Sequence, residues 1–318
     1  MKSIDVFNGD ADGLCALHQW RLVHPAEAVL ATGVKRDINL LRNVELGARG
    51  AARVFDISLD SNRADALRLL EAGARLIWFD HHFAGAPIEH PRFEAHIDTA
   101  ADTCTSLIVD GLLKGRHRAW AVAAACGDNL HAAARRAAEP LELDEGRFAV
   151  LAELGELLNY NGYGDSVADL HFDPAELYRQ MMPFVDPFAF VAECAAFAKL
   201  REGFAADMQA AAGVTPCLDR RHAAAWVLPD AAWARRVVGV LANRLAVATP
   251  ERAHALLVPD AFGTLTVSVR APKARPVGAD ALCRQYPTGG GRKAAAGINR
   301  LPVSGTDGFL AMFSRHYS

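Results

Sequence analysis

The stretch Ile4-Asp5-Val6-Phe7-Asn8-Gly9-Asp10-Ala11-Asp12-Gly13 decides how the first half of the chain reads. Its apolar start predicts a buried strand over 2–8, and its second half opens a helix predicted over 12–23. The glycines permit a tight turn, and carboxylates at i and i+2 on a turn after a strand can point into one cleft. An Asp in this place is also a common helix N-cap, and the motif alone does not separate the two readings. Working outward, strands are predicted over 27–32, 52–56 and 74–80, and helices over 61–72, 103–113 and 118–126. Strand and helix in alternation predict an α/β fold with a parallel, doubly wound N-terminal sheet, whose chemistry sits at the carboxyl ends of the strands.

The acidic residues fall at those ends. Asp56 closes Arg53-Val54-Phe55, and Asp80-His81-His82 closes Arg75-Leu76-Ile77-Trp78-Phe79. Asp128 follows the apolar helix that ends at Gly127. Four Asp and a His gathered at one rim repel each other unless a cation neutralises them. Oxygen donors plus an imidazole suit Mn²⁺ or Mg²⁺. Each residue alone has a plainer reading: Asp10 and Asp56 as helix caps, Asp128 as a helix start, His81 or His82 as a partly buried histidine. The shared strand-end placement favours the constellation over its parts.

The composition is that of a globular protein: 318 residues, 51% hydrophobic, 22% charged, net charge −3. It excludes disordered, collagen-like and coiled-coil classes, and a length of about two domains follows from about 100–200 residues per domain. The predicted organisation is a metal-binding catalytic domain over 1–144, a helical connector over 145–212 and a smaller α/β domain over 213–318. The connector is interrupted by Asn159-Tyr160-Asn161-Gly162-Tyr163-Gly164 and by Pro174, Pro183 and Pro187. After Pro216 strands are predicted over 223–228, 253–258 and 264–270, with helices over 231–248 and near 279–286 before a glycine run. Six cysteines without a C-x-x-C pair read as reduced, mostly buried thiols, not a zinc knuckle or disulfide framework. No signal-like or membrane-spanning run is present in the sequence, so a cytoplasmic protein with no membrane partner is expected.

The small net charge divides unevenly. Residues 1–200 hold 19 Lys and Arg against 29 Asp and Glu, net −10, whereas 201–318 hold 15 against 8, net +7. The acidic part is suited to cations and the basic part to phosphate. In the basic part Gly289-Gly290-Gly291 offers three residues able to take positive φ and bring backbone N–H groups to an anion, beside Arg292 and Lys293. Arg270 is a second clamp candidate, equally readable as a solvated strand-end residue. Tyr160 and Tyr163 can offer a face to a nucleobase, although packing of the connector is the favoured reading. His131 reads as a helix-surface residue.

In order and spacing, Phe7-Asn8-Gly9-Asp10-Ala11-Asp12-Gly13, Asp56, Asp80-His81-His82 and Gly127-Asp128 resemble the four motifs of the DHH phosphoesterase superfamily. Gly289-Gly290-Gly291-Arg292-Lys293-Ala294-Ala295-Ala296-Gly297 is similar to the glycine motif of the associated DHHA1 domain. The resemblance, which covers nearly the whole chain, implies a phosphoesterase with two divalent cations, Mn²⁺ ahead of Mg²⁺, working in a cleft between two domains. It implies Asn8, Asp10, Asp12, Asp56, His81 and Asp128 as metal ligands, Asp56 bridging the two. It implies His82 and Asp80 as catalytic residues, His82 beside the phosphate as acid or hydrogen-bond donor. Gly289 to Lys293 and Arg270 would bind substrate phosphate. Two residues depart from the pattern: Asn8 stands where many relatives carry His or Asp, and Arg292 where His usually follows the glycines.

Two cations can hold a hydroxide between them and stabilise both oxygens of an in-line displacement at phosphorus. The expected activity is a metal-dependent phosphodiesterase acting on short oligonucleotides or small nucleotides, since bulk positive charge for a long strand is lacking. An exopolyphosphatase or pyrophosphatase, and a decayed nucleotide-binding regulatory protein, are the alternatives. A homodimer is left open.

Overall fold

The computed structural model describes residues 3–318, which divide into two compact units, the first ending at Glu202 and the second spanning Gly203–Ser318. The first unit begins with β1 (Ser3–Phe7), α1 (Ala11–Val23), β2 (Val29–Ala31), β3 (Ala51–Phe55), α2 (Arg63–Glu71), β4 (Arg75–Asp80) and β5 (Phe93–Ile97). It continues with helices α3 (Thr105–Leu112), α4 (Arg118–Gly127), α5 (His131–Ala138), α6 (Glu145–Asn161), α7 (Pro174–Met181) and α8 (Pro187–Glu193). The helix α9 (Ala195–Ala212) runs across the boundary.

The five strands form one parallel sheet in the order β2-β1-β3-β4-β5. Both faces are covered, which is why β1, β3 and β4 are apolar almost throughout rather than alternating. One face packs Val6, Val54, Leu76 and Trp78 against Leu69 and Leu70 of α2. The strand order reverses at the β1/β3 pair, the place where open α/β sheets take ligands. Helix α6 packs on α4, and the approach is close enough that a Cβ on Gly155 would lie 1.9 Å from the Ala123 carbonyl oxygen.

The second unit contains β6 (Leu218–Asp219), β7 (Ala223–Val227), α10 (Ala232–Ala248), β8 (Ala253–Pro259), β9 (Thr264–Arg270), α11 (Ala279–Cys283), β10 (Gly289–Gly291), β11 (Ala295–Pro302) and α12 (Thr306–His316). Its sheet, ordered β10-β11-β9-β8-β7-β6, is mixed: β7 and β8 run parallel and the other pairs antiparallel. One face is covered by Leu282 of α11 with Phe309 and Phe313 of α12, the other by Ala234, Val238 and Ala242 of α10. The α/β architecture and the doubly wound parallel N-terminal sheet are as the sequence predicts.

Elements outside the predicted ranges are α5, β5, β6, β10, β11 and α12. Strand β5, Phe-Glu-Ala-His-Ile, is a half-exposed edge whose alternate residues Phe93 and Ile97 pack against the core, a period-2 signal too short to stand out in the sequence. Strand β10 consists of three glycines and is a strand because it pairs with β11, not from any propensity. All six cysteines are free, five buried and Cys217 exposed. Among the described residues no helix is long and apolar enough to cross a membrane.

Candidate active site

Four chain segments deliver the acidic side chains to the carboxyl ends of β1, β3 and β4. Asp10 caps α1: its Oδ1 accepts from the N–H groups of Asp12, at 3.0 Å, and Gly13, at 3.1 Å. A Cβ on Gly13 would lie 2.2 Å from the Asn8 carbonyl oxygen, so only glycine allows this turn. Asp12, fully buried, caps a different helix. Its two carboxylate oxygens accept from the backbone N–H groups of Thr105 and Ser106, each at 2.7 Å, at the start of α3. Asp56 takes a left-handed backbone, φ 58°, a conformation Asp tolerates better than most residues. Asp128 terminates α4, and Asn129, φ 60°, continues into a Schellman turn closed by Leu130 N–H to the Ala125 carbonyl at 2.8 Å.

These placements bring ligand atoms together. Asp56, His81 and His82 form one group, and Asp12, His81 and Asp128 a second, each with its donor atoms within 4.8 Å of one another. Nε2 of His81 is the shared atom on the histidine side, 3.4 Å from Asp56 Oδ1 and 4.0 Å from Asp128 Oδ2. The donor set, carboxylates plus imidazole with no thiolate, fits a divalent cation of the Mn²⁺ or Mg²⁺ type. Asp80 lies deeper. Its Oδ1 accepts from the His81 N–H at 2.8 Å and meets Nδ1 of His82 at 2.7 Å, while Oδ2 is buried without a hydrogen-bond partner.

Among the described residues Asp10 belongs to neither group, and Asn8 lies beside it with its Oδ1 buried and without a hydrogen-bond partner. Between them and Asp128 stands Lys35, whose Nζ donates to Asp10 Oδ2 at 2.5 Å, Asn159 Oδ1 at 2.8 Å and Asp128 Oδ1 at 3.3 Å. Neither Lys35 nor Asn159 figures among the sequence candidates. The available signal was position: Lys35 follows β2, so it lies at the same strand rim as the carboxylates, and Asn159 opens the Asn-Tyr-Asn-Gly run. Thr105 is a further contributor, its Oγ1 donating to Asp56 Oδ1 at 3.1 Å.

Crowding sets the protonation of the cluster. Burial, and then repulsion from Asp12, Asp10, Asp128 and Asp80, pushes the Asp56 carboxyl well above the ordinary range. Burial raises Asp128 to about 6 despite the attraction of Lys35, with Asp12 and Asp10 adding to the rise. Asp10 goes the other way: burial opposes its charge, but Lys35 and the Gly13 N–H outweigh it and hold it low. Burial likewise opposes the charge on Lys35, and Asp10 and Asp128 override it, raising its pKa well above the usual lysine value. His82 is raised, because its Asp80 hydrogen bond and the surrounding carboxylates exceed the effect of burial.

The phosphate-binding candidates lie in the second unit. Gly289 to Gly291 form strand β10, and of the three only Gly291 uses positive φ, at 137°. Gly289 is required for a different reason: a Cβ there would meet the Cys283 carbonyl oxygen at 1.7 Å. Arg292 and Lys293 are exposed on the turn joining β10 to β11, which Arg292 N–H closes to the Ala295 carbonyl at 2.8 Å. Arg270 sits opposite Ala295 and its guanidinium is engaged by Asn243 Oδ1 at 2.8 Å and Ser268 Oγ at 3.0 Å. Tyr160 is fully buried with its hydroxyl 2.7 Å from His171 Nε2, the packing role favoured for it. His131 is exposed at the start of α5.

The fold resembles those of RecJ and of a DHH-domain protein. Solved structures similar to it include an exonuclease RecJ bound to manganese, with a TM-score of 0.63, 19% identity, and coverage of 99% of this chain and 90% of that one. RecJ from Thermus thermophilus in complex with Mn²⁺ has a TM-score of 0.65 and 18% identity; the match covers 99% of this chain and 52%, about half, of that one. The pGpG-specific phosphodiesterase PggH of Vibrio cholerae has a TM-score of 0.55 and 11% identity over 99% of both chains. No protein-family model matches the sequence, and no curated protein matches it.

Proposed function

We propose that this protein is a divalent-cation-dependent phosphodiesterase that hydrolyses short oligonucleotides or small nucleotides. The observation that carries the reading is a pair of overlapping donor groups, Asp56 with His81 and His82, and Asp12 with His81 and Asp128, which share His81. A cluster that crowds this many carboxylates is costly without a cation to neutralise them. The mixed carboxylate and imidazole donors suit Mn²⁺ ahead of Mg²⁺. That RecJ is an exonuclease and PggH a pGpG-specific phosphodiesterase supports a nucleotide phosphodiester as the substrate class.

Asp12, Asp56, His81 and Asp128 would hold a divalent cation, which when bound would supply Lewis acidity toward water and phosphoryl oxygens. The chain's own residues do the rest. Asp80 Oδ1 accepts from Nδ1–H of His82, which fixes the ring and leaves Nε2 as the atom that carries a proton to the leaving oxygen. Thr105 Oγ1–H holds one oxygen of Asp56 in place. Arg292 and Lys293, exposed on a basic unit, bind the remaining phosphates of the substrate. Moving the division of charge to the observed boundary changes nothing, because Arg201 and Glu202 cancel.

The test is hydrolysis by the full chain with Mn²⁺ on pApA-type dinucleotides, single-stranded oligonucleotides, polyphosphate and pyrophosphate. Mononucleotide from the dinucleotide is expected. Phosphate from polyphosphate or pyrophosphate alone would replace this reading with an exopolyphosphatase or pyrophosphatase, and no hydrolysis of any of them would favour the regulatory protein.

A further inference from the structure

The resemblance implies two divalent cations, but the cluster already contains a cation of its own. We propose that the ammonium of Lys35 takes the place of one of them, leaving a site for a single divalent ion on Asp12, Asp56, His81 and Asp128. The inference rests on the phosphoesterase reading and specifies its metal site.

The geometry around Lys35 is that of a complete cation site. An ammonium has three N–H donors, and Lys35 spends them on three oxygens: Asp10 Oδ2 at 2.5 Å, Asn159 Oδ1 at 2.8 Å and Asp128 Oδ1 at 3.3 Å. Both Asp10 oxygens are thereby engaged, the other receiving the Asp12 and Gly13 N–H groups. Asp128 is divided, Oδ1 toward Lys35 and Oδ2 toward His81 at 4.0 Å. It joins the ammonium to the donor group that remains.

The departure at Asn8 belongs to the same arrangement. Where the family pattern carries His or Asp, the Asn8 amide donates from Nδ2 to the Lys35 backbone carbonyl at 3.4 Å. A second backbone bond, Lys35 N–H to the Gly162 carbonyl at 2.8 Å, fixes the same residue from the other side. The amide thus touches the lysine through Nδ2, while its Oδ1 is buried without a hydrogen-bond partner. The ring of Tyr163 lies 5.7 Å from Nζ, a further contact suited to a cation. A divalent ion at Asp10 would share its carboxylate with the ammonium at 2.5 Å and be repelled by it, whereas an ion on the His81 side is separated from the ammonium by the Asp128 carboxylate that lies between them. Lys35 acts here as a positioning residue, setting how many ions the carboxylates hold.

The experiment is a Mn²⁺ titration of the metal-free full chain by equilibrium dialysis, with electron paramagnetic resonance of the bound ion and the dinucleotide assay run in parallel. The wild type is expected to bind one Mn²⁺ per chain with the spectrum of an isolated ion. Lys35→Ala combined with Asn8→His is expected to bind two, with the spectrum of a spin-coupled pair, while Lys35→Arg stays at one. Two coupled ions on the active wild type would overturn this inference and leave the phosphoesterase reading intact. One ion on the folded double variant would also overturn it. A wild type that neither binds Mn²⁺ nor hydrolyses the dinucleotide would overturn both. The wild-type stoichiometry decides the matter even if the double variant does not fold.

Discussion

Nδ1 of His82 lies 2.7 Å from Oδ1 of Asp80, and the two differ completely in exposure: Asp80 is fully buried while the His82 side chain is 45% exposed. A buried carboxylate therefore orients and charges an imidazole whose other edge faces outward. Because His82 is raised from its ordinary value, it keeps its proton to higher pH than a free histidine. If it is the acid, the rate falls as pH rises through that raised value. Asp80→Asn removes the leading contribution to the rise, so the alkaline limb of kcat moves to lower pH at saturating Mn²⁺. A limb that stays in place would remove His82 from the acid role.

The metal-free protein should lose stability as pH rises. Asp128 is raised to about 6 and Asp56 also lies above its usual range, so the folded state holds protons that the unfolded chain releases near pH 4. The sign follows: their contribution is fully present below the unfolded value and is lost as pH rises through the folded one. Thermal denaturation of the chelator-treated protein should show Tm falling by several degrees between about pH 4 and about pH 7. Mn²⁺ should reverse the fall, since it binds only the folded site. A flat profile in chelator would mean that the repulsion is relieved in some other way.

Asp12 and Asp56 should separate in stability although both are proposed to serve the same cation. Asp12→Ala leaves the buried N–H groups of Thr105 and Ser106 without an acceptor, each worth about 1–3 kcal/mol. Urea unfolding of the metal-free protein should report that loss. Asp56→Asn removes a crowded charge, keeps an acceptor for Thr105 Oγ1 and suits the left-handed backbone. It should unfold at equal or higher urea than the wild type while hydrolysis drops by at least about 100-fold.

The three glycines before Arg292 should tolerate alanine unequally. At Gly290 an added Cβ meets nothing within 4 Å and the backbone is not left-handed, so Gly290→Ala should change stability by less than about 0.5 kcal/mol. Gly291→Ala combines φ 137° with a Cβ 2.5 Å from the Ala296 Cα, and Gly289→Ala meets the Cys283 carbonyl. Each should cost about 2 kcal/mol or more in urea unfolding. Equal effects at all three would show that the turn is loose.

Arg292→Ala should act on substrate alone. The side chain is exposed, so its loss should leave unfolding within about 0.5 kcal/mol of the wild type. KM for the dinucleotide should rise about tenfold, the equivalent of about 1.4 kcal/mol of lost phosphate contact, with kcat little changed. An unaltered KM would remove Arg292 from substrate binding.

How far the sequence reaches depends on whether a feature is local. Buried strands β1, β3 and β4 are runs of apolar residues between helices, and Asp10, Asp12, Asp56, Asp80 and Asp128 sit at their ends or just after helix α4; position along the chain was enough to pick them out. The division of charge into an acidic and a basic part was equally legible, because charge counts need no coordinates. Strand β11, Ala-Ala-Gly-Ile-Asn-Arg-Leu-Pro, was not, since Ala, Gly and Pro are poor strand formers and its conformation comes from pairing with β9.

The sequence by itself determined which residue types stand at the ends of which strands, and from them the fold class and the kind of chemistry. Only the tertiary structure decided how those residues share their hydrogen bonds. It committed Asp12 to the N-terminus of α3, 93 residues away, and placed Lys35 between Asp10 and Asp128. The physical reason is that a carboxylate's neighbours across a fold are set by sheet order and helix packing, and no spacing along the chain records which cation reaches it first.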